Sequence, residues 1–170
     1  MTINYPIDWP LDENVIRRGV INNTFGMVRR RRNGKPRPHQ GWDFSAPIGT
    51  PCYAIADGTV VGVRNAGAYG LQVLIRFQFD FDDDGDQDTL FAFYSHLSSV
   101  SVKKGDKVKV GQQVGKTGDS GNARGMRGKD AHLHFEIRYR RWVALGLSGR
   151  MSPMAVFGVC PLKRKEKRRR

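Results

Sequence analysis

The chain has 170 residues, 39% of them hydrophobic and including three Trp, nine Phe and five Tyr, which suits one domain with a real core and excludes global disorder. No apolar run reaches the length of a membrane span. The segment Met1–Pro10 has no basic region followed by an apolar core, so neither a spanning helix nor a secretory signal is expected. A net charge of +13 favours polyanionic partners such as nucleic acid, anionic lipid or an anionic cell wall.

Residues 1–24 are mixed and punctuated by proline, with at most one short helix around Asp12–Ile16. They are expected to form an N-terminal extension to a domain over 25–160. Phe25-Gly26-Met27-Val28 leads through Arg29-Arg30-Arg31-Arg32 to Asn33–Pro38, where Gly34, Pro36 and Pro38 predict a loop. His39-Gln40-Gly41-Trp42-Asp43-Phe44 follows. From Pro51 the chain reads as strands and turns, beginning with the β-rich run Gly58–Val63. Leu71, Val73, Ile75, Phe77, Phe79 and Phe81 alternate with mostly polar residues, the longest strand signal present. A turn at Asp82–Gly85 sends the chain back through Thr89–Tyr94, which predicts a long hairpin leading into Ser95-His96-Leu97.

Short strands are expected at Val100–Val102 and Lys107–Val110, and a glycine-rich loop from Gly111 to Gly128. In the next stretch Leu133, Phe135, Ile137 and Tyr139 alternate with His132, His134, Glu136 and Arg138. A period of two predicts a half-buried strand with one packed face and one free. No helical period exceeds about two turns, so the fold class is mostly β, an antiparallel sheet or sandwich. Lys163–Arg170 carries seven basic side chains and one acidic. Residues 161–170 are therefore expected to form a disordered basic tail that concentrates the protein on an anionic wall or nucleic acid. Cys52 and Cys160 fit no metal-knuckle spacing and sit among apolar neighbours, which favours buried free thiols over a disulfide.

Two places carry candidate chemistry. At the hairpin tip, Asp80, Asp82, Asp84 and Asp88 stand at positions one, three, five and nine, with Gly85 at six and Asp86 at seven, as in the first half of an EF-hand calcium loop. Position twelve is Phe91 and the flanks are strands, so a solvated Asp-Gly turn is favoured over a calcium site. The second place involves all four histidines, 39, 96, 132 and 134. His132 and His134 project from one face of their strand, about 7 Å apart at the backbone. Two such imidazoles can bind one metal, or one can bind while the other handles protons. His39 and Asp43, four residues apart around Gly41, would complete a His-Asp-His set with His134, leaving a fourth tetrahedral position open. His96 and His132 would flank that opening.

These residues carry a resemblance. His39-x-x-x-Asp43, Tyr94-Ser95-His96-Leu97-Ser98 and His132-Leu133-His134-Phe135 resemble the lysostaphin-type zinc endopeptidases, which cut peptidoglycan peptides. Gly41–Pro51, Ala56–Val60, Val102–Gln112 and Val114–Gly118 resemble the pattern in the same order, so that the likeness spans roughly residues 24 to 157. It implies one catalytic Zn2+ on His39, Asp43 and His134, with His96 and His132 as the catalytic pair. It also implies an antiparallel sheet with a groove over its polar face, and a monomeric hydrolase of wall cross-links. A catalytically inactive wall-binding module of the same fold is the alternative. Three departures stand out: no Tyr in Arg29–Pro38, where many relatives carry one; a longer Gly118–Asp130 loop; and no signal or wall-binding domain. The last suggests release by phage-type lysis or injection into a rival cell.

Overall fold

In a computed structural model, residues 6–169 are described; residues 1–5 of the expected extension and Arg170 of the expected tail lie outside the described residues. The strands, in order, are β1 (Glu13–Asn14), β2 (Gly26–Arg30), β3 (Pro36–His39), β4 (Trp42–Ser45), β5 (Pro51–Tyr53), β6 (Gly58–Ala66) and β7 (Gly70–Phe79). They continue with β8 (Asp88–Val100), β9 (Lys107–Val108), β10 (Gln113–Thr117), β11 (His132–Arg138), β12 (Arg150–Met151) and β13 (Glu166–Lys167). The main sheet runs β12-β11-β8-β7-β6-β9, with β4 sharing the β12 edge of β11 and β10 joining β8 to β5. Its pairings are antiparallel. The mostly-β antiparallel expectation holds.

The period of two explains the layering. Val73, Ile75, Phe77, Ala92, Tyr94, Leu133, Phe135 and Ile137 face one core together with Trp42 and Phe44. The opposite face carries a smaller cluster of Val61, Leu74, Phe91 and Phe93 against Tyr69. The free polar face expected of β11 is therefore not free. All seven residues from His132 to Arg138 are buried. Alternation reports polarity, not water. Here the polar side chains satisfy one another, and the Arg138 guanidinium lies 3.8 Å over the Phe93 ring.

Several expectations are corrected. The Asp12–Ile16 segment is not helical: it forms β1, and Ile16 bridges to Phe44. Asn14 bonds both the N–H and the carbonyl of Leu11, which leaves Leu11 and Ile16 free to join the main core. The Asn33–Pro38 loop is a hairpin, β2 against β3, closed by the Arg31 N–H to the Lys35 carbonyl. β10 interrupts the glycine-rich stretch because it finds partners on both sides. Val100 ends β8 rather than starting a new strand.

The tail is the largest correction. Residues 161–169 are seated, not disordered. β13 pairs with β1, the Arg168 guanidinium lies 3.8 Å over Tyr53, and the Arg169 N–H donates to Asp8. Asp12 and Glu13 accept ion pairs from Arg168 and Lys165. A basic run orders when it meets carboxylates and an unpaired strand, neither of which lies near it in the sequence. Cys52 and Cys160 are free thiols, and burial pushes Cys52 up to about 12.

Candidate metal centre and cleft

β11 is the axis of the site. Its register sets His134 opposite Asp43 of β4 on one side and opposite Ser95 of β8 on the other. His39 ends β3, and the turn through Gln40 and Gly41 returns the chain to Asp43. A side chain at Gly41 would collide with the Phe135 carbonyl of β11, so only glycine lets this turn lie so close to the strand. The result is that ligand atoms of His39, Asp43 and His134, all three buried, lie within 4.8 Å of one another.

His96 arrives by a different route. β7 and β8 pair Val73 with Tyr94 and Leu71 with Leu97, so β8 contains one extra residue between them. This is a β-bulge, and His96 sits in it at φ 58. Strict alternation from Ala92 and Tyr94 would aim His96 into the apolar core. The bulge moves it to the site face and returns Leu97 to the core. A left-handed backbone at a non-glycine residue costs about 1–3 kcal/mol and persists only where its surroundings hold it. The imidazole rings of His96 and His132 end 5.2 Å apart, and those of His39 and His134 5.1 Å apart.

Each imidazole has one nitrogen committed to an oxygen. His39 Nδ1 donates to the Thr24 carbonyl at 2.8 Å, His96 Nδ1 to the Ser120 carbonyl at 2.8 Å, and His132 Nδ1 to the Asp130 carbonyl at 2.7 Å. A carbonyl only accepts, so these three rings carry their proton on Nδ1 and keep the Nε2 lone pair. His134 is reversed: Nε2 donates to Glu136 Oε1 at 2.9 Å, and Nδ1 faces Asp43 Oδ1 at 2.8 Å. Asp43 is divided likewise. Its Oδ1 lies toward His39 and His134, while Oδ2 is taken by Arg29 at 2.9 Å and Arg17 at 3.4 Å. Asn23 Oδ1 accepts from both arginines and holds them there.

The titration behaviour follows. Burial dominates at His39, His96 and His132 and lowers all three, His96 to about 4 with added repulsion from His134 and His132. They are neutral at pH 7. For His134 burial is outweighed by hydrogen bonds to Asp43 and Glu136, which raise it to about 9. Asp43 is held well below the usual carboxylate range: burial opposes its charge, but the bonds from His134 and His39 prevail. Without a metal, then, His134 carries a proton at Nδ1, between itself and Asp43. Neutral His39, ionised Asp43 and a displaceable proton on His134 make a donor set that fits a nitrogen- and oxygen-binding dication such as zinc.

Four residues that sequence reasoning did not place at the site belong to it. Glu136, fully buried, binds His134, Arg138 at 2.6 Å, Arg150 at 2.8 Å and the Tyr69 hydroxyl at 2.9 Å. Tyr69 stacks on His134 with ring centroids 5.6 Å apart. Its hydroxyl is engaged, and burial beside Glu136 raises its pKa. Arg17 and Arg29 complete the set. Glu136 had a legible signal, since it shares a strand face with His134 two residues away; Tyr69 and Arg17 had none. The four histidines and Asp43 line a cleft of about 440 Å3, with Arg17, Arg29, Arg31 and Arg37 along one side. The acidic tip residues Asp80, Asp82 and Asp88 also converge, at the far end of the β7–β8 hairpin.

The sequence matches the family described as Peptidase family M23 over residues 37–145. It is 41% identical over 138 residues to the peptidoglycan DD-endopeptidase ShyA of Vibrio cholerae, covering 80% of this chain and 27% of that protein. It is 33% identical over 132 residues to the cell division protein DipM of Caulobacter vibrioides, covering 77% and 18%. Among solved structures, a zinc-containing peptidase from Vibrio cholerae is similar with a TM-score of 0.62 at 31% identity, over 79% of this chain and 37% of that one. The catalytic domain of lysostaphin from Staphylococcus simulans is similar with a TM-score of 0.56 at 31% identity, over 80% and 90%. The chain spans about a quarter of the length of the curated relatives it matches.

Proposed function

The chain belongs to peptidase family M23, and from that premise we propose that it is a zinc endopeptidase acting on the peptide cross-links of bacterial peptidoglycan. His39 Nε2, Asp43 Oδ1 and His134 Nδ1 would hold the ion. Zinc bound there supplies Lewis acidity, polarising a carbonyl and acidifying water. The observation that carries this reading is the committed nitrogen on every imidazole, each ring being fixed in orientation and tautomer by an acceptor behind it.

His96 and His132 are neutral with Nε2 unprotonated, so either can take a proton from a water in the cleft and return it to the leaving amine. Their rings are 5.2 Å apart and line the same cleft, and the ring that takes up the water's proton gains an Nε2–H with which it can donate to the developing oxyanion or to the leaving amine. Arg31 and Arg37, exposed on the arginine-lined side of the cleft, suit the free carboxylates of a D-alanyl to diamino-acid cross-link. Two of the relatives are named peptidoglycan DD-endopeptidases. An inactive module would not need four oriented imidazoles.

Incubating the zinc-loaded chain with a purified cross-linked muropeptide dimer, followed by mass spectrometry, tests this. The expected product is two monomers split between D-alanine and the diamino acid, formed at least about a hundredfold more slowly by His132→Ala. An intact dimer, or cleavage at another bond, would refute the assignment.

A further inference from the structure

Six of the sixteen acidic residues in this strongly basic chain fall within nine positions, Asp80–Asp88, at the tip of the β7–β8 hairpin. Asp80 is only 3% exposed. Its Oδ2 accepts the Gly85 N–H at 3.0 Å, but its Oδ1, equally buried, has no partner. A buried carboxylate oxygen without a donor costs free energy, and native structures rarely leave one so. Carboxylate oxygens of Asp80, Asp82 and Asp88 lie within 4.8 Å of one another. Two oxygens on opposite sides of one calcium ion, each bonded at about 2.3–2.6 Å, are separated by about that distance.

We propose that Asp80, Asp82, Asp84 and Asp88 bind one calcium ion at the tip of this hairpin. The orphaned Asp80 oxygen and the convergence of three carboxylates carry the assignment. The loop order agrees with it. Gly85, at φ 97, makes the sharp turn at the sixth position, and the seventh, Asp86, offers its carbonyl.

Oxygen-only donors favour a hard cation over zinc, which prefers nitrogen and sulfur, and an irregular turn suits calcium better than magnesium, with its strict octahedron. The twelfth position, Phe91, packs into the smaller cluster and supplies no bidentate carboxylate. The site is therefore of the weak class, with a Kd of about 10⁻⁴–10⁻³ M. Asp88 opens β8 and His96 lies eight residues further along it, roughly 25 Å away at the strand rise. The ion would clamp the Phe79–Asp88 end of the hairpin and take no part in the cleft chemistry.

The test is isothermal titration of the full, zinc-loaded chain with calcium chloride in metal-stripped buffer, up to about 10 mM, tenfold above the weakest expected Kd. One calcium per chain is expected, with a rise in Tm on saturation. Magnesium should bind at least about tenfold more weakly. The double variant Asp82→Asn/Asp88→Asn changes only residues at the hairpin tip and removes two like charges, so it should fold. Its calcium affinity should drop by about tenfold or more, while its Tm in the absence of calcium and its peptide turnover stay at the parent level. The proposal is overturned by the absence of saturable heat, by equal affinity in parent and double variant, or by magnesium binding as tightly as calcium.

Discussion

Glu136→Gln is the change that most directly probes how the metal centre is held. Glu136 is fully buried and serves four partners: His134 Nε2, Arg138, Arg150 and the Tyr69 hydroxyl. The amide keeps the shape but loses the charge, leaving two nearly buried guanidinium groups short of their counter-ion. Breaking a buried ion pair from one side costs about 3–5 kcal/mol. The titration of Glu136 offers an independent measure. Burial opposes its charge, yet the bonds from His134 and the charges of His134, Arg138 and Arg150 hold it at about 2, against 4.5 unperturbed. That gap corresponds to about 3 kcal/mol. Because the folded pKa is depressed, this stability is fully present above pH 4.5 and is lost as the pH falls through about 2. For a chain of this size the loss corresponds to a Tm drop of about 6–20 °C in the zinc-free protein near pH 7. The difference between parent and variant should shrink steadily between pH 4.5 and 2. Zinc affinity should also fall by about 10–100-fold, since Gln no longer holds the His134 proton on Nε2 as an anion does. Calorimetry with and without zinc, plus chelator competition, would measure both. A Tm within about 2 °C of the parent, or a gap unchanged down to pH 2, would refute this account of Glu136.

Other outcomes are specific to single groups. His134 is raised to about 9 in the metal-free protein, so at pH 7 zinc must displace one proton from it, and affinity should climb about tenfold per pH unit up to pH 8. Titration in buffers of different ionisation enthalpy would count that proton, and a count near zero would contradict the Asp43–His134 geometry. His39→Ala, Asp43→Ala and His134→Ala should lose zinc and activity together. His96→Ala and His132→Ala should keep zinc by elemental analysis, while turnover drops by about a hundredfold or more. Truncation after Leu162 removes the β13 pairing and the Arg168–Tyr53 contact, and thermal denaturation should show a loss of about 1–2 kcal/mol. A Tm equal to that of the full chain would mean that the basic segment adds nothing to the fold.

The sequence by itself determined most of the strand framework and the candidate residues of the site. Alternation along Leu71–Phe79 and Leu133–Ile137 is a local property and survives in the sheet unchanged. So does the set His39, Asp43, His96, His132 and His134, whose imidazole and carboxylate groups are the donor types that metal binding and proton transfer require. The tertiary structure alone decided how the chemistry is held. Periodicity places His96 on the wrong face of β8, and only the pairing with β7 reveals the extra residue that turns it toward the cleft. Arg17, Asn23, Thr24 and Arg29 read as an extension and an arginine run, yet they orient Asp43 and His39, since chain entry beside β4 brings them there. The basic tail looks unable to order when only its own charge is counted. It orders because Asp8, Asp12, Glu13 and the open edge of β1 lie where the fold delivers it. In each case the deciding contact joins residues distant in sequence, and the strength of such a contact depends on a geometry that local patterning does not encode.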